Sequence, residues 1–189
     1  MRFVRLLLPI LAVCSLGMGG RPPAVTVRFF CEANARDGSA FSTPYKLTNP
    51  PREAFLQKVP SVHEGQIKEV FPFRAPDGSW GCAFRLDNDG RINLEVVSTD
   101  HRGSALVGFV GTKRGNHPVV EMIIDRTVAD GVISVPRGLT DLEIVALSKQ
   151  FKVLGDRSQL PNVKLPSEKR KGGIFRKKEP TAPAAAPVA

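Results

Sequence analysis

The stretch VVEMIIDRTVADGVISVPRGLTDLE, residues Val119 to Glu143, alternates and turns more regularly than any other part of this chain. Val119, Glu121, Ile123 and Asp125 fall on one face of an extended segment and Val120, Met122 and Ile124 on the other, which predicts a strand from Val119 to Asp125. Asp130-Gly131 marks a turn, because glycine enters the left-handed region without steric cost. Val132 to Val135 then reads as a short strand. Pro136 and Gly138 shape the approach to Thr140-Asp141-Leu142-Glu143, whose Thr-to-Glu spacing is that of a capping box. It opens a helix with Leu142, Ile144, Val145 and Leu147 as its apolar side.

Reading upstream, Ser104 to Val110 predicts a second strand, joined to the first by GTKRGNHP, a connection of hairpin composition. Asn88 to Arg102 carries Ile92, Val96 and Val97 at helical spacing and ends at Gly103, a natural helix stop. Asp87 or Asn88 is its N-cap. Trp80 to Leu86 is a strand entered through the turn Pro76-Asp77-Gly78-Ser79, and Phe151 to Leu154 completes the order with a last short strand. Strand, helix, strand, strand, short strand, helix and strand predict an α+β fold. Its expected architecture is a ferredoxin-like βαββαβ-type sheet with helices on one face.

An N-terminal strand-rich extension precedes this unit. Ala24 to Glu32 alternates with Val25, Val27, Phe29 and Cys31 on one face. Ala33 to Pro51 reads as loop, with YKLT a short strand, and Arg52 to Val59 as a strand or one helical turn. Ser61-Val62-His63-Glu64 has capping-box spacing and predicts a short helix bearing Ile67 and Val70, ended by Pro72. The expected divisions are 1–19 as a signal, 20–79 as the extension, 80–160 as the ferredoxin-like domain and 161–189 as a tail.

The first twenty residues, MRFVRLLLPILAVCSLGMGG, place Arg2 and Arg5 before an apolar run from Leu6 to Val13 and then small residues, the order of a secretory signal peptide. The run is shorter than the roughly 20 apolar residues a bilayer span needs. Cleavage after Ser15 or Gly17 would leave a soluble exported chain. Alternatively, Leu11-Ala12-Val13-Cys14 resembles a lipoprotein signal with Cys14 as the lipidated residue, although Val13 departs from the small residue usual before that Cys. In an oxidising compartment Cys31 and Cys82 are candidates for a disulfide, or else two reduced, buried thiols.

The chain holds 27 Lys and Arg against 18 Asp and Glu. Seven of the basic residues and two of the acidic ones fall from Lys164 onward, so the body is close to neutral. A nucleic-acid binder carries its basic excess on the folded surface, and none is expected here. The segment LPSEKRKGGIFRKKEPTAPAAAPVA has too little apolar content to fold alone. It reads as a disordered tail, or as a contact with an anionic membrane surface made by Lys169, Arg170, Lys171, Phe175, Arg176, Lys177 and Lys178.

Chemistry finds little support in the residue pattern. His63, His101 and His117 stand in three segments without partners at metal-ligand spacing. Asp87-Asn88-Asp89-Gly90 lacks a calcium loop's Asp or Asn where Arg91 stands. Ser98, Asp100 and His101 are close in sequence but do not face one point on a helix, and no GxSxG, phosphate-cradling loop or HExxH occurs. No cofactor is expected, and enzymatic activity is the less favoured reading.

Arg102-Gly103, the strands Ala105 to Val110 and Val119 to Asp125, Asp130-Gly131, Val132 to Pro136 and Thr140-Asp141-Leu142-Glu143 together resemble the first periplasmic domain of SecD-type protein-export subunits. The resemblance covers at most Ser61 to Leu154. That family has a further strand where only Arg137-Gly138-Leu139 stands here, and its membrane helices have no counterpart. It implies a shared βαββαβ module and an extracytoplasmic home. The expectation is an exported, non-catalytic envelope protein acting as a protein-interaction or structural module, its partner an envelope protein. The alternative is a small cell-envelope hydrolase or carbohydrate-active protein with a loop-built site.

Overall fold

A computed structural model of the protein describes residues 25–163. The signal segment with Cys14 and the tail with Lys169, Arg170, Lys171, Phe175, Arg176, Lys177 and Lys178 lie outside the described residues.

Strict alternation makes β1 (Val25–Cys31) a two-faced strand, with Val25, Val27, Phe29 and Cys31 all fully buried on the inner face, as the sequence predicts. It pairs antiparallel along its whole length with β7 (Ala105–Thr112), and on its other side with the two-residue β4 (Val62–His63). From β7 the chain turns at Lys113-Arg114 into β8 (Gly115–Ile123), giving a four-stranded sheet in the order β4-β1-β7-β8. A second four-stranded sheet has the order β10-β5-β6-β9. Its strands are β5 (Ile67–Arg74), β6 (Trp80–Leu86), β9 (Val132–Leu139) and β10 (Lys152–Val153), the last parallel to β5. The inner faces of the two sheets share one apolar core, in which Phe29 of β1 meets Phe84 of β6 edge to face at 6.0 Å between ring centroids.

Two helices join the sheets. α1 (Asn88–Asp100) packs on β4 and β6, and α2 (Asp141–Gln150) on β1, β5 and β10, so each touches both layers. α1 starts where the Asp87 side chain accepts a hydrogen bond from Gly90 N at 2.8 Å. Its buried residues are Gly90, Leu94 and Ser98, spaced four apart, and a side chain at Gly90 would collide with Gln66 Cβ at 2.9 Å. α2 opens with the predicted box: Thr140 Oγ1 accepts from Glu143 N, and the Glu143 carboxylate accepts from Thr140 N at 2.9 Å. Trp80 Nε1 donates to Asp141 at the first turn of α2, while the Arg74 guanidinium lies 4.1 Å from the Trp80 ring centroid. These contacts fix the helix start against β6.

A two-stranded ribbon, β2 (Ser42–Thr48) and β3 (Pro51–Gln57), lies on the outer face of the first sheet. Leu47, Ala54 and Leu56 pack there against Ala105 and Val107, flanked by Phe30, Tyr45 and Phe109.

The α+β class holds, but the single ferredoxin-like sheet does not. The strands assigned to it are divided between two sheets, because β1 takes the place beside β7 and β6 pairs instead with β5 and β9. The boundary expected at 79/80 therefore falls between two strands paired along their length, β5 and β6. The predicted short helix after Ser61 is also replaced. His63, not Ser61, caps a single 3₁₀ turn at Glu64–Gln66, and Ile67 and Val70 belong to β5. Pro72 lies inside that strand, beyond the residues that β10 pairs, where a missing amide is tolerated. On α1 the apolar face turns out narrower than its spacing implied: Ile92 and Val96 are 44% and 52% exposed. The segment 33–51 is less loop than expected, since Ser42 to Thr48 is fully paired with β3. The connection GTKRGNHP likewise lies mostly in β7 and β8.

Candidate functional site: a polar cleft beside the ribbon

Glu32 leaves the end of β1 and its partner Arg52 is the second residue of β3, so the junction of body and ribbon brings them together. The guanidinium grips the carboxylate with both terminal nitrogens, Nη2 donating to Oε2 at 2.6 Å, and Ala105 N donates to the same Oε2 at 2.8 Å. The Arg52 hydrogen bonds hold the Glu32 carboxyl below the usual carboxylate range, outweighing its partial burial. Ala33 N donates to Phe55 O at 2.7 Å beside this pair.

The pair forms one wall of a cleft of about 480 Å³, completed by Ala33, Asn34, Asp37, Gln57, His101, Gly103 and Ser104. Three structures meet there: the 3₁₀ turn Ala35–Asp37, the ribbon, and the loop from α1 to β7. Asn34 caps the turn by accepting from Arg36 N at 3.0 Å, and Asp37 accepts from Asn34 N at 3.1 Å. The size suits a small ligand. The ionised groups, however, are already engaged with one another or with backbone, and Glu32 is held as an anion rather than as a proton donor.

Glu121 of β8 makes the second ribbon attachment. Its carboxylate accepts from Tyr45 Oη at 2.7 Å, Thr48 N at 2.7 Å, Thr48 Oγ1 at 3.4 Å and Asn49 N at 3.3 Å. Burial raises its pKa, but the bonds from Tyr45, Thr48 and Asn49 outweigh that, and the net direction is down. The Tyr45 hydroxyl is pushed up in turn, by burial and by the adjacent carboxylate. Sequence reasoning singled out none of Glu32, Arg52 or Glu121. The available signal was a charged residue in or just beyond an otherwise alternating apolar strand.

The singled-out residues disperse. Cys31 and Cys82 are free, buried thiols rather than a bridge, with burial pushing their pKa values up to about 11 and about 12. Such thiols are poor nucleophiles. His63 Nδ1 accepts from Gly65 N at 3.1 Å, His117 Nδ1 lies 3.5 Å from Glu143 Oε1, and His101 reaches the cleft. Ser98 is buried and structural, accepting from Val128 N at 2.9 Å and donating to Glu95 O at 3.1 Å. No group of three or more His, Cys, Asp or Glu among the described residues is placed to hold a metal ion. No helix among them is long and apolar enough to cross a membrane.

No family model matches the chain, and no curated protein is similar to it. Two solved structures are. One is SecDF, described as a membrane component that enhances protein export, at 12% identity and a TM-score of 0.46 over 69% of this chain and 64% of that one. The other is SecDF in a super-membrane-facing form, at 10% identity and a TM-score of 0.44 over 69% of this chain and 19% of that one. The chain thus spans less than two thirds of either.

Proposed function

We propose that the protein is an exported, non-catalytic module of a bacterial cell envelope that acts through protein contacts, with the outward ridge of α1 as its contact surface. The observation that carries this reading is the exposure of Ile92 and Val96, one turn apart on a helix whose other side is anchored in the core. A paired apolar ridge on a rigid helix is a common form of docking element. The order of charged, apolar and small residues in the first twenty positions supports export, with either cleavage after Ser15 or Gly17 or lipidation at Cys14. The neutralised Glu32–Arg52 pair supports a binding rather than a catalytic role for the cleft.

The test has two arms. Fractionation with intact-mass measurement reads the fate of the first residues: a membrane-bound, acylated Cys14 or a soluble chain beginning near Leu16 or Met18 agrees with export, and an uncleaved cytoplasmic chain refutes it. A photo-crosslinking residue at position 92 or 96, in expressing cells, is expected to give one discrete envelope adduct that the same probe at Lys113 does not give. Absence of such an adduct refutes the docking surface.

A second reading rests on the cleft, which gathers Glu32, Asp37 and His101. In it the protein is a small envelope hydrolase or carbohydrate-active protein, and His101→Ala abolishes turnover of an envelope polysaccharide substrate while leaving the fold intact.

A further inference from the structure

The outer faces of the two sheets differ in what covers them. On the first, Phe30 and Phe109 stand edge to face at 5.6 Å between centroids, and Tyr45 of the ribbon meets Phe109. On the second, Phe71 is left 45% exposed. Strand register sets out three cross-strand rows on this face. Lys152 of β10, Glu69 of β5 and Arg85 of β6 form the first row, Phe71 and Ala83 the second, and Phe73 and Gly81 the third. The two rings lie 6.4 Å apart and are held from the side: a side chain at Gly81 would collide with the Phe73 ring, and one at Gly155 with the Phe71 ring. The first row carries more cations than anions. Lys152 Nζ donates to Glu69 at 2.7 Å and Arg85 Nη1 at 3.4 Å, so one carboxylate serves two cations. The Glu69 side chain is 7% exposed, against 70% for Lys152 and 61% for Arg85. Anything that approaches this face therefore meets the cations and not the anion.

We infer that the outer face of the second sheet binds an extended, acidic segment of a partner protein, with an acidic side chain on the Lys152–Arg85 row and apolar side chains on the two phenylalanine rows. Charge complementarity selects the sign of the partner. Spacing selects its form. Rows on one face of a strand are two residues apart, roughly 6.6 Å, and an extended peptide repeats the side chains of one side at the same interval. The pattern that fits is acidic, apolar, apolar at alternate positions, in the order Glu69, Phe71, Phe73 along β5. A single-stranded nucleic acid needs cations that follow its backbone past each stacked base, whereas Lys152 and Arg85 share one row. This surface is separate from the ridge of α1, and the inference requires neither that ridge nor export.

The test is the fluorescence anisotropy of a labelled peptide titrated with the full chain. The peptide carries aspartate, leucine and leucine at alternate positions with threonine between them. Phe71→Ser should weaken its binding roughly tenfold. Arg85→Gln should weaken it up to roughly fivefold, and leaves Lys152 on the Glu69 carboxylate. Ile92→Ser/Val96→Ser should bind like the parent. On the parent chain, a peptide with lysine in place of aspartate should bind roughly tenfold more weakly, as should one of the same composition with its leucines adjacent. Those two comparisons do not depend on the folding of any variant. Absence of binding, preference for the lysine peptide, or equal binding of the two leucine spacings overturns the inference, as does indifference to Phe71→Ser in a folded chain. Tighter binding of single-stranded oligothymidine at the same site overturns it too, because the face would then belong to a nucleic acid.

Discussion

The ribbon and the two-sheet body are secured by opposite means. Inside the body, Phe29, Phe84, Leu94, Val135 and their neighbours exclude water between the sheets, a non-directional attraction that scales with buried apolar area. Between ribbon and body the buried apolar residues are Leu47, Ala54, Leu56, Ala105 and Val107, and the directional part comes from two carboxylates, Glu32 and Glu121, with the backbone bond from Ala33 N to Phe55 O. Hydrogen bonds of this kind contribute little net stability when made, but leave costly unpaired groups when one partner is removed. The body should therefore unfold as a unit, and the ribbon should open locally beforehand.

The largest effect separating the two is expected from Phe84→Ala, which should lower global stability by about 3–5 kcal/mol in denaturant titration. Leu94→Ala, removing the central buried residue of α1, should cost about 2–5 kcal/mol by the same measure. A loss under about 1 kcal/mol in either would mean that the sheets are not held by this core. Glu121→Ala leaves Tyr45 Oη, Thr48 N and Asn49 N without their acceptor, worth about 1–3 kcal/mol. Here hydrogen exchange should accelerate across residues 42–57 while β6 amides keep their protection. Equal acceleration in β6 would show the ribbon to be part of the global unit.

Acid tests the same point without mutation. The carboxyls of Glu32 and Glu121 sit below their ordinary 4.5 in the folded protein. Their contribution is therefore complete above about pH 4.5 and lost as pH falls through the lower folded-state values. Ribbon amides should lose protection over that interval before those of β1 and β7. Ile92→Ser and Val96→Ser mark the small end of the scale, within about 0.5 kcal/mol of the parent, because both side chains already face water.

Local chemistry was legible in the sequence where one segment decides its own structure. The inner face of β1, the Thr140–Glu143 box and the Asp87 cap are each specified by residues within a few positions of one another. The Ser61–Glu64 spacing misled because a capping box needs a helix to cap. The β-branched and aromatic residues that follow, Ile67, Val70, Phe71 and Phe73, favour the pleated pairing with β6 instead. Sheet topology was not legible, since nothing local to Val25–Cys31 points to Ala105–Thr112. The cleft and the Glu121 clasp were hidden for the same reason: Glu32 meets Arg52, and Glu121 meets Thr48, only after the strands have found their places.

The pairing of β1 with β7 also sets an order of events in time. Val25 lies opposite Thr112 and Cys31 opposite Leu106, so more than seventy residues separate even the closest of these partners. Until β7 is available, β1 has only the two residues of β4 to pair with. A chain emerging from its amino end must leave the β7-side edge of β1 unpaired until residue 112 has followed. Non-local pairings of this kind form slowly, which keeps such a chain threadable for longer than one built of neighbouring hairpins.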